Sequence, residues 1–76
     1  MARFNAKAKA ESAIESWAAE NPREPGETRA KYRRRMQAGV TEELKSEAAG
    51  SVWVTILPFI LQFLPLMIEW FLNRKT

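Results

Sequence analysis

Cysteine and histidine, two residue types that commonly carry chemistry in small proteins, are both absent from this chain of 76 residues. Without cysteine the chain has no disulfide, no thiolate metal ligand and no thiol nucleophile. Without histidine it lacks the commonest general base and a usual ligand of zinc, haem and copper. We therefore expect a protein that is not an enzyme and that binds no cofactor or metal.

Polar residues within an otherwise apolar stretch are the next candidates for a functional role. Thr55, Gln62 and Glu69 are spaced by seven residues, and a helix brings positions seven apart almost into line. Pro58 and Pro65 form a second series with the same spacing, and each proline frees a carbonyl that needs a partner where water is absent. These five residues predict a helix face that packs against another protein or lines a wet path.

A basic cluster near the middle of the chain is the second candidate site. It consists of Arg29, Lys31, Arg33, Arg34 and Arg35. We predict that the cluster contacts an anionic surface, either lipid headgroups or a partner protein. Three consecutive arginines spread over about 200° of a helix, so they cannot all face one partner. A solvated helix with weak ion pairs is the plainer alternative, and nucleic acid is a possible but less favoured ligand.

The polar residues are positioned by the segment from Val52 to Leu72, VWVTILPFILQFLPLMIEWFL, which holds a single formal charge. A helix of this length spans roughly 30 Å, the thickness of a bilayer core. We therefore predict a single transmembrane helix, with residues 73–76 as a short basic tail. Its interfacial anchors are predicted to be Trp53, Trp70, Arg74 and Lys75.

Residues 1–51 predict a basic, helical extramembrane extension that contains too few bulky apolar side chains for a core of its own. A first helix is predicted over residues 6–20 with Asn5 as its N-cap, and the Pro- and Gly-containing residues 21–28 predict a hinge. A second helix should begin at Arg29 after the N-cap Thr28, with an apolar stripe at every fourth residue from Tyr32 to Leu44.

We expect a glycine to interrupt this second helix. Gly39 should break it near Ala38, Thr41 should cap a short third helix, and Gly50 should add a weak kink before the membrane segment. The predicted fold class is all-α: one C-terminal transmembrane helix preceded by two or three short, partly amphipathic helices, with no independent globular core.

Together these features predict a small non-enzymatic, tail-anchored, single-pass membrane protein with its N-terminus in the cytoplasm or the interior of a particle. Its predicted role is that of a structural or assembly subunit of a membrane-protein complex or of a membrane-containing virus particle. The expected partners are membrane lipid and other membrane or capsid proteins, in a homo- or hetero-oligomer. Two alternatives stay open: an oligomeric pore-forming peptide of holin or viroporin type, and a membrane anchor that tethers nucleic acid.

Overall fold

The described part of the chain is entirely helical. The computed structural model describes the backbone of residues 5–75 and the side chains of residues 5–74. The elements are α1 (Ala6–Glu20), α2 (Arg29–Ala48), a 3-10 helix (Val52–Ile56) and α3 (Leu57–Lys75). The predicted all-α fold class is confirmed, and so are the bounds of α1.

The N-terminal ends of α1 and α2 are capped as their sequences predict. The side chain of Asn5 accepts a hydrogen bond from the Ala8 N–H, and the side chain of Thr28 accepts one from the Lys31 N–H. Each cap gives a partner to an N–H group that the first helical turn leaves unpaired. Residues 21–28 connect the two helices, with Gly26 at φ 81°, a left-handed conformation that glycine adopts without strain.

The predicted break at Gly39 is wrong, because α2 continues through this residue to Ala48. Thr41, predicted as an N-cap, lies inside the helix. A side chain at Gly39 would place its Cβ 2.6 Å from Cε2 of Trp17, well inside van der Waals contact. Gly39 is therefore the position where the indole of α1 packs directly on the backbone of α2.

The end of α2 is sharper than the weak kink predicted at Gly50. This residue has φ 76°, and beside it the Ser51 N–H donates to the Ala48 carbonyl at 2.8 Å. A left-handed glycine just beyond a helix reverses the chain direction. The reversal allows α3 to run back along α2.

The predicted single helix over residues 52–72 is also corrected. Its first five residues form the 3-10 helix, and α3 starts only at Leu57. Pro58 is thus in the first turn of α3, where its missing N–H would have no helical partner. The Val54 carbonyl, expected to be freed by Pro58, accepts the Leu57 N–H instead.

The three helices share one apolar core, which corrects the prediction of no independent globular core. Of its fifteen buried side chains, eight come from α1 and α2 and seven from α3. The predicted stripe from Tyr32 to Leu44 is confirmed as the buried face of α2. The prediction failed because it assigned all of the apolar stretch to lipid, whereas one face of α3 covers the apolar faces of α1 and α2.

Candidate helix-packing surface

The surface of α3 that faces away from the core is divided into a polar edge and an apolar strip. At about 100° per residue, the buried residues Leu57, Leu64 and Ile68 lie on one side of the helix. The predicted packing face consists of Thr55 in the 3-10 helix and of Pro58, Gln62, Pro65 and Glu69 on α3. We call it the polar edge, and its Glu69 contacts α2. Thr55, Pro58 and Gln62 are exposed, whereas Pro65 and Glu69 are half-buried.

Glu69 of the polar edge is held by two arginines from the predicted basic cluster. Its Oε1 accepts a hydrogen bond from Arg29 at 3.0 Å, and its Oε2 lies 3.1 Å from a guanidinium nitrogen of Arg33. Arg29 also donates to the Asn73 side chain at 2.7 Å. The side chains of both ion pairs are 36–39% exposed, so each pair is worth only about 0.2–1 kcal/mol. The pairs join the start of α2 to the end of α3, and the two helices therefore run antiparallel.

Large apolar side chains form an exposed strip on α3 that the sequence did not predict as one surface. Phe59, Phe63, Leu66 and Trp70 are 62%, 59%, 50% and 53% exposed. We call these four residues the outer seam. Their steps of four, three and four residues are those of a helix-packing stripe and could have been found in the sequence. Of the four, only Trp70 is a predicted site residue, because in a mostly apolar stretch the spacing of apolar residues does not distinguish one helix face from another.

A groove borders the outer seam on the side of α1. It lies between the seam and the small side chains Ala6 and Ala10, with Lys7 on its rim. At the C-terminal end of α3, Lys7 and Glu11 line a second groove together with Trp70 and Arg74. Because the α1 wall is built from alanines, the groove is open to a side chain or helix from outside.

Three members of the basic cluster make contacts within the chain, and two are exposed. Arg29 and Arg33 contact Glu69, and Arg35 contacts Glu27 in the connecting segment. Lys31 and Arg34 are exposed on α2. An anionic surface would therefore meet these last two cations first.

Arg35 contacts the connecting segment 21–28 and an aromatic ring of each neighbouring helix. Its guanidinium donates two hydrogen bonds to the Glu27 carboxylate, both 2.9 Å long, and one to the Pro22 carbonyl at 3.2 Å. It also stacks 5.4 Å from the ring centre of Trp17 and 5.2 Å from that of Tyr32. Tyr32 in turn donates its hydroxyl hydrogen to the Asn21 carbonyl at 2.8 Å.

The contacts around Glu27 change its protonation. The hydrogen bonds from the Arg35 side chain, followed by the one from the Glu24 N–H, lower the pKa of Glu27 from 4.5 to about 2. These donors favour the ionised carboxylate. Glu27 therefore stays charged far into the acidic range.

The predicted interfacial anchors are in different surroundings. Trp53 is half-buried and lies under Lys9, whose Nζ is 5.5 Å from the ring centre. Trp70 belongs to the outer seam, and Arg74 is exposed beyond it. Lys75 is the last residue of α3, and its side chain is outside the described residues.

The apolar segment Val52–Arg74 is long and apolar enough to cross a membrane. Only 22% of its most apolar part is buried within the molecule, so most of its surface is free for lipid or protein. The chain was compared with protein-family models, with curated proteins and with solved structures, and none of these comparisons found a match.

Proposed function

We propose that this chain is a small non-enzymatic, single-pass membrane protein that serves as a structural or assembly subunit of a membrane-protein complex or a membrane-containing particle. The observation that carries the proposal is the outer seam, an exposed strip of large apolar side chains on a helix of bilayer length. Contiguous exposed apolar patches of this kind mark surfaces that bind lipid or protein.

The proposal requires two states of the molecule. We call the three-helix arrangement described above the closed bundle. In a spanning helix, Glu69 would lie about 25 Å from Val52, and the charged α2 could not follow it across the bilayer without a large cost. The contacts of Glu69 with Arg29 and Arg33 must therefore separate when α3 spans a membrane.

The apolar surface of α3 provides the driving force for opening the closed bundle. Insertion gives the exposed apolar side chains of α3 a lipid environment, and lipid also replaces the contacts that the buried face of α3 makes in the shared core. The half-exposed ion pairs of Glu69 add only weak resistance to opening. In the spanning state the basic α1 and α2 would remain on the cytoplasmic or particle-interior side, where cations are favoured near a helix end.

The roles proposed for the two charged surfaces differ. Lys31 and Arg34 are available to an anionic leaflet, while Arg29, Arg33 and Arg35 have carboxylate partners within the chain. In the spanning state Arg35 keeps its partner Glu27, while Arg29 and Arg33 join Lys31 and Arg34 as cations available to the anionic leaflet beside which α2 would lie.

The test is fractionation of cells that express the full chain, followed by alkaline carbonate extraction and protease protection. The expected result is a carbonate-resistant chain that is found in larger assemblies after gentle solubilisation. Phe63→Arg places a charge near the bilayer midplane and should release the chain, because central arginine costs about 2.5–3.5 kcal/mol. Ala38→Arg on the exposed side of α2 is the matched control. A wild-type chain that is extracted by carbonate, or that occurs only as a free monomer, would contradict the proposal.

A further inference from the structure

We infer that the outer seam binds the outer seam of a second copy of this chain, with the two α3 helices parallel. The inference deepens the proposed assembly function, on which it rests, by naming the partner and the contacting residues.

The spacing of the outer seam is that of a two-stranded helical interface. Phe59, Phe63, Leu66 and Trp70 follow one another at steps of four, three and four residues. Such steps keep side chains on one line along a helix and let the side chains of two helices interdigitate. The four residues are exposed in one copy, so a second copy can contact them without disturbing the core.

The charges beside the seam select the parallel orientation. Glu69 immediately precedes Trp70 on the polar edge, and Arg74 lies on the opposite edge of the seam, five residues later. In a parallel pair of helices, residues that flank the seam face the residue five positions later on the partner, and opposite charges there stabilise the pair. Each Glu69 would thus face Arg74 of the other copy, at both edges of the two-fold interface.

The groove beside the seam provides the space that the second helix needs. Its α1 wall is formed by Ala6, Lys7 and Ala10, and the small side chain of Ala6 allows a helix to approach closely. In the closed bundle the partner helix would lie beside this groove and cover the seam. In the spanning state, where α1 no longer lies beside α3, the seam alone would form the contact.

The available area indicates how strong the association can be. Four large side chains that are half exposed offer roughly 400 Å² per copy, against about 800 Å² per partner in a stable interface. Pairing should therefore depend on concentration in solution and be strongest where a membrane confines the copies in one orientation.

Thiol cross-linking of the full chain in zwitterionic micelles tests the orientation directly, because the sequence contains no cysteine. The variants are Phe59→Cys, Phe63→Cys, Leu66→Cys and Trp70→Cys. In a parallel pair each seam residue lies next to the same residue of the second copy, so all four variants should form disulfide-linked dimers. In an antiparallel pair only a variant near the crossing point would do so, and that result would overturn the inference.

Conservative variants on exposed surfaces provide the control. Ser12→Cys on α1 and Ser46→Cys on α2 should cross-link far more slowly. Equal rates at all six positions would indicate random collision and would also overturn the inference. A monomeric chain whose seam cysteines are protected from alkylation would also overturn the inference, because lipid and not a second copy would then cover the seam.

The charge contact has its own test. Arg74→Glu should weaken self-association by about two- to thirtyfold, as expected for the loss of two exposed ion pairs per dimer. Lys45→Glu on α2 has the same charge change and should have no effect. An equal effect of both variants would remove the Glu69–Arg74 contact from the inference. A carbonate-resistant chain that assembles with other proteins but does not cross-link to a second copy would refute the pairing and leave the proposed function intact. A carbonate-extractable chain that still cross-links would contradict the proposed function and leave the pairing intact.

Discussion

The guanidinium of Arg35 contacts the end of α1, the connecting segment 21–28 and the start of α2. It forms two parallel hydrogen bonds with Glu27 and lies against the rings of Trp17 and Tyr32. Planar geometry is needed for both kinds of contact, and a lysine ammonium has neither the fork of donors nor the flat face. The position is therefore specific for arginine rather than for positive charge.

Arg35→Lys should consequently lower the thermal midpoint of unfolding, although it conserves the charge. Arg34→Lys is the matched control, because Arg34 is exposed one position earlier in the same helix. The measurement is thermal unfolding followed by circular dichroism. Equal midpoints for the two variants would mean that only the charge at position 35 matters.

Glu27 should make stability depend on pH in a defined range. Its pKa is about 2 in the folded chain and near 4.5 in the unfolded one. A lowered folded pKa means that the stabilisation is complete above about 4.5 and is lost as the pH falls toward 2. The difference in unfolding midpoint between the wild type and Glu27→Gln should thus be largest at neutral pH and shrink below pH 4.5. A difference that is constant from pH 7 to pH 3 would contradict this assignment.

Gly39→Ala tests the contact between α1 and α2. The new Cβ would overlap Trp17, so we expect a loss of about 1–3 kcal/mol in the free energy of unfolding, typical of overpacking. In a Trp17→Ala background the same substitution should stabilise the chain by up to ~1 kcal/mol, because alanine is the better helix former. The sign reversal, measured by denaturant unfolding, separates packing from helix propensity, and destabilisation in both backgrounds would refute the packing role.

At the scale of the elements, α3 has two apolar faces with different tasks. Leu64 is fully buried in the shared core, and Leu66, two residues later, is 50% exposed on the outer seam. Leu64→Ala should cost about 2–5 kcal/mol in the free energy of unfolding. Leu66→Ala should cost no more than about 0.5–1 kcal/mol. Denaturant unfolding of both variants in dilute solution checks this, and similar losses would mean that the faces are not distinct.

The sequence predicts most of these elements but only part of their packing. The caps at Asn5 and Thr28 and the four-residue period of α2 are local signals, and they predict helix starts and buried positions correctly. The predicted helix break at Gly39 is wrong because the role of this glycine depends on Trp17, which is distant in sequence. The predicted continuous helix over residues 52–72 is wrong because Pro58 lies at the start of α3 and not in its interior. The outer seam is not predicted as one surface because, within a mostly apolar stretch, the spacing of apolar residues cannot distinguish the buried face of a helix from its exposed face.

At the scale of the whole molecule, the ion pairs of the closed bundle join different pairs of helices. Lys9 and Glu47 join α1 to α2, while Arg29 and Arg33 join α2 to α3 through Glu69. Of these ion pairs, only the second set has to separate when α3 leaves the other helices, together with the apolar contacts of the shared core. The shared core was not predictable because a helix of bilayer length fits lipid and protein equally well in composition.

Arg29→Gln combined with Arg33→Gln should favour insertion of α3 into zwitterionic vesicles. Loss of two weak ion pairs should raise the ratio of protease-protected to unprotected chains about two- to thirtyfold, since each pair contributes ~0.2–1 kcal/mol. Lys31→Gln combined with Arg34→Gln removes the same charge from exposed positions of the same helix and should leave this fraction unchanged. Protection that rises equally in both variants would show that net charge controls insertion, not the contacts of Glu69.

The carboxylate of Glu69 has a further consequence through thermodynamic linkage. Each of its oxygens already faces one arginine of α2, and the proposed partner helix would bring Arg74 to the same group. If the second copy draws Glu69 away from α2, pairing is weaker in the closed bundle than in the open state, and pairing lowers the free energy of opening by the same amount. Association and opening would then be cooperative, and the fraction of chains with a released α3 would rise with their own surface density.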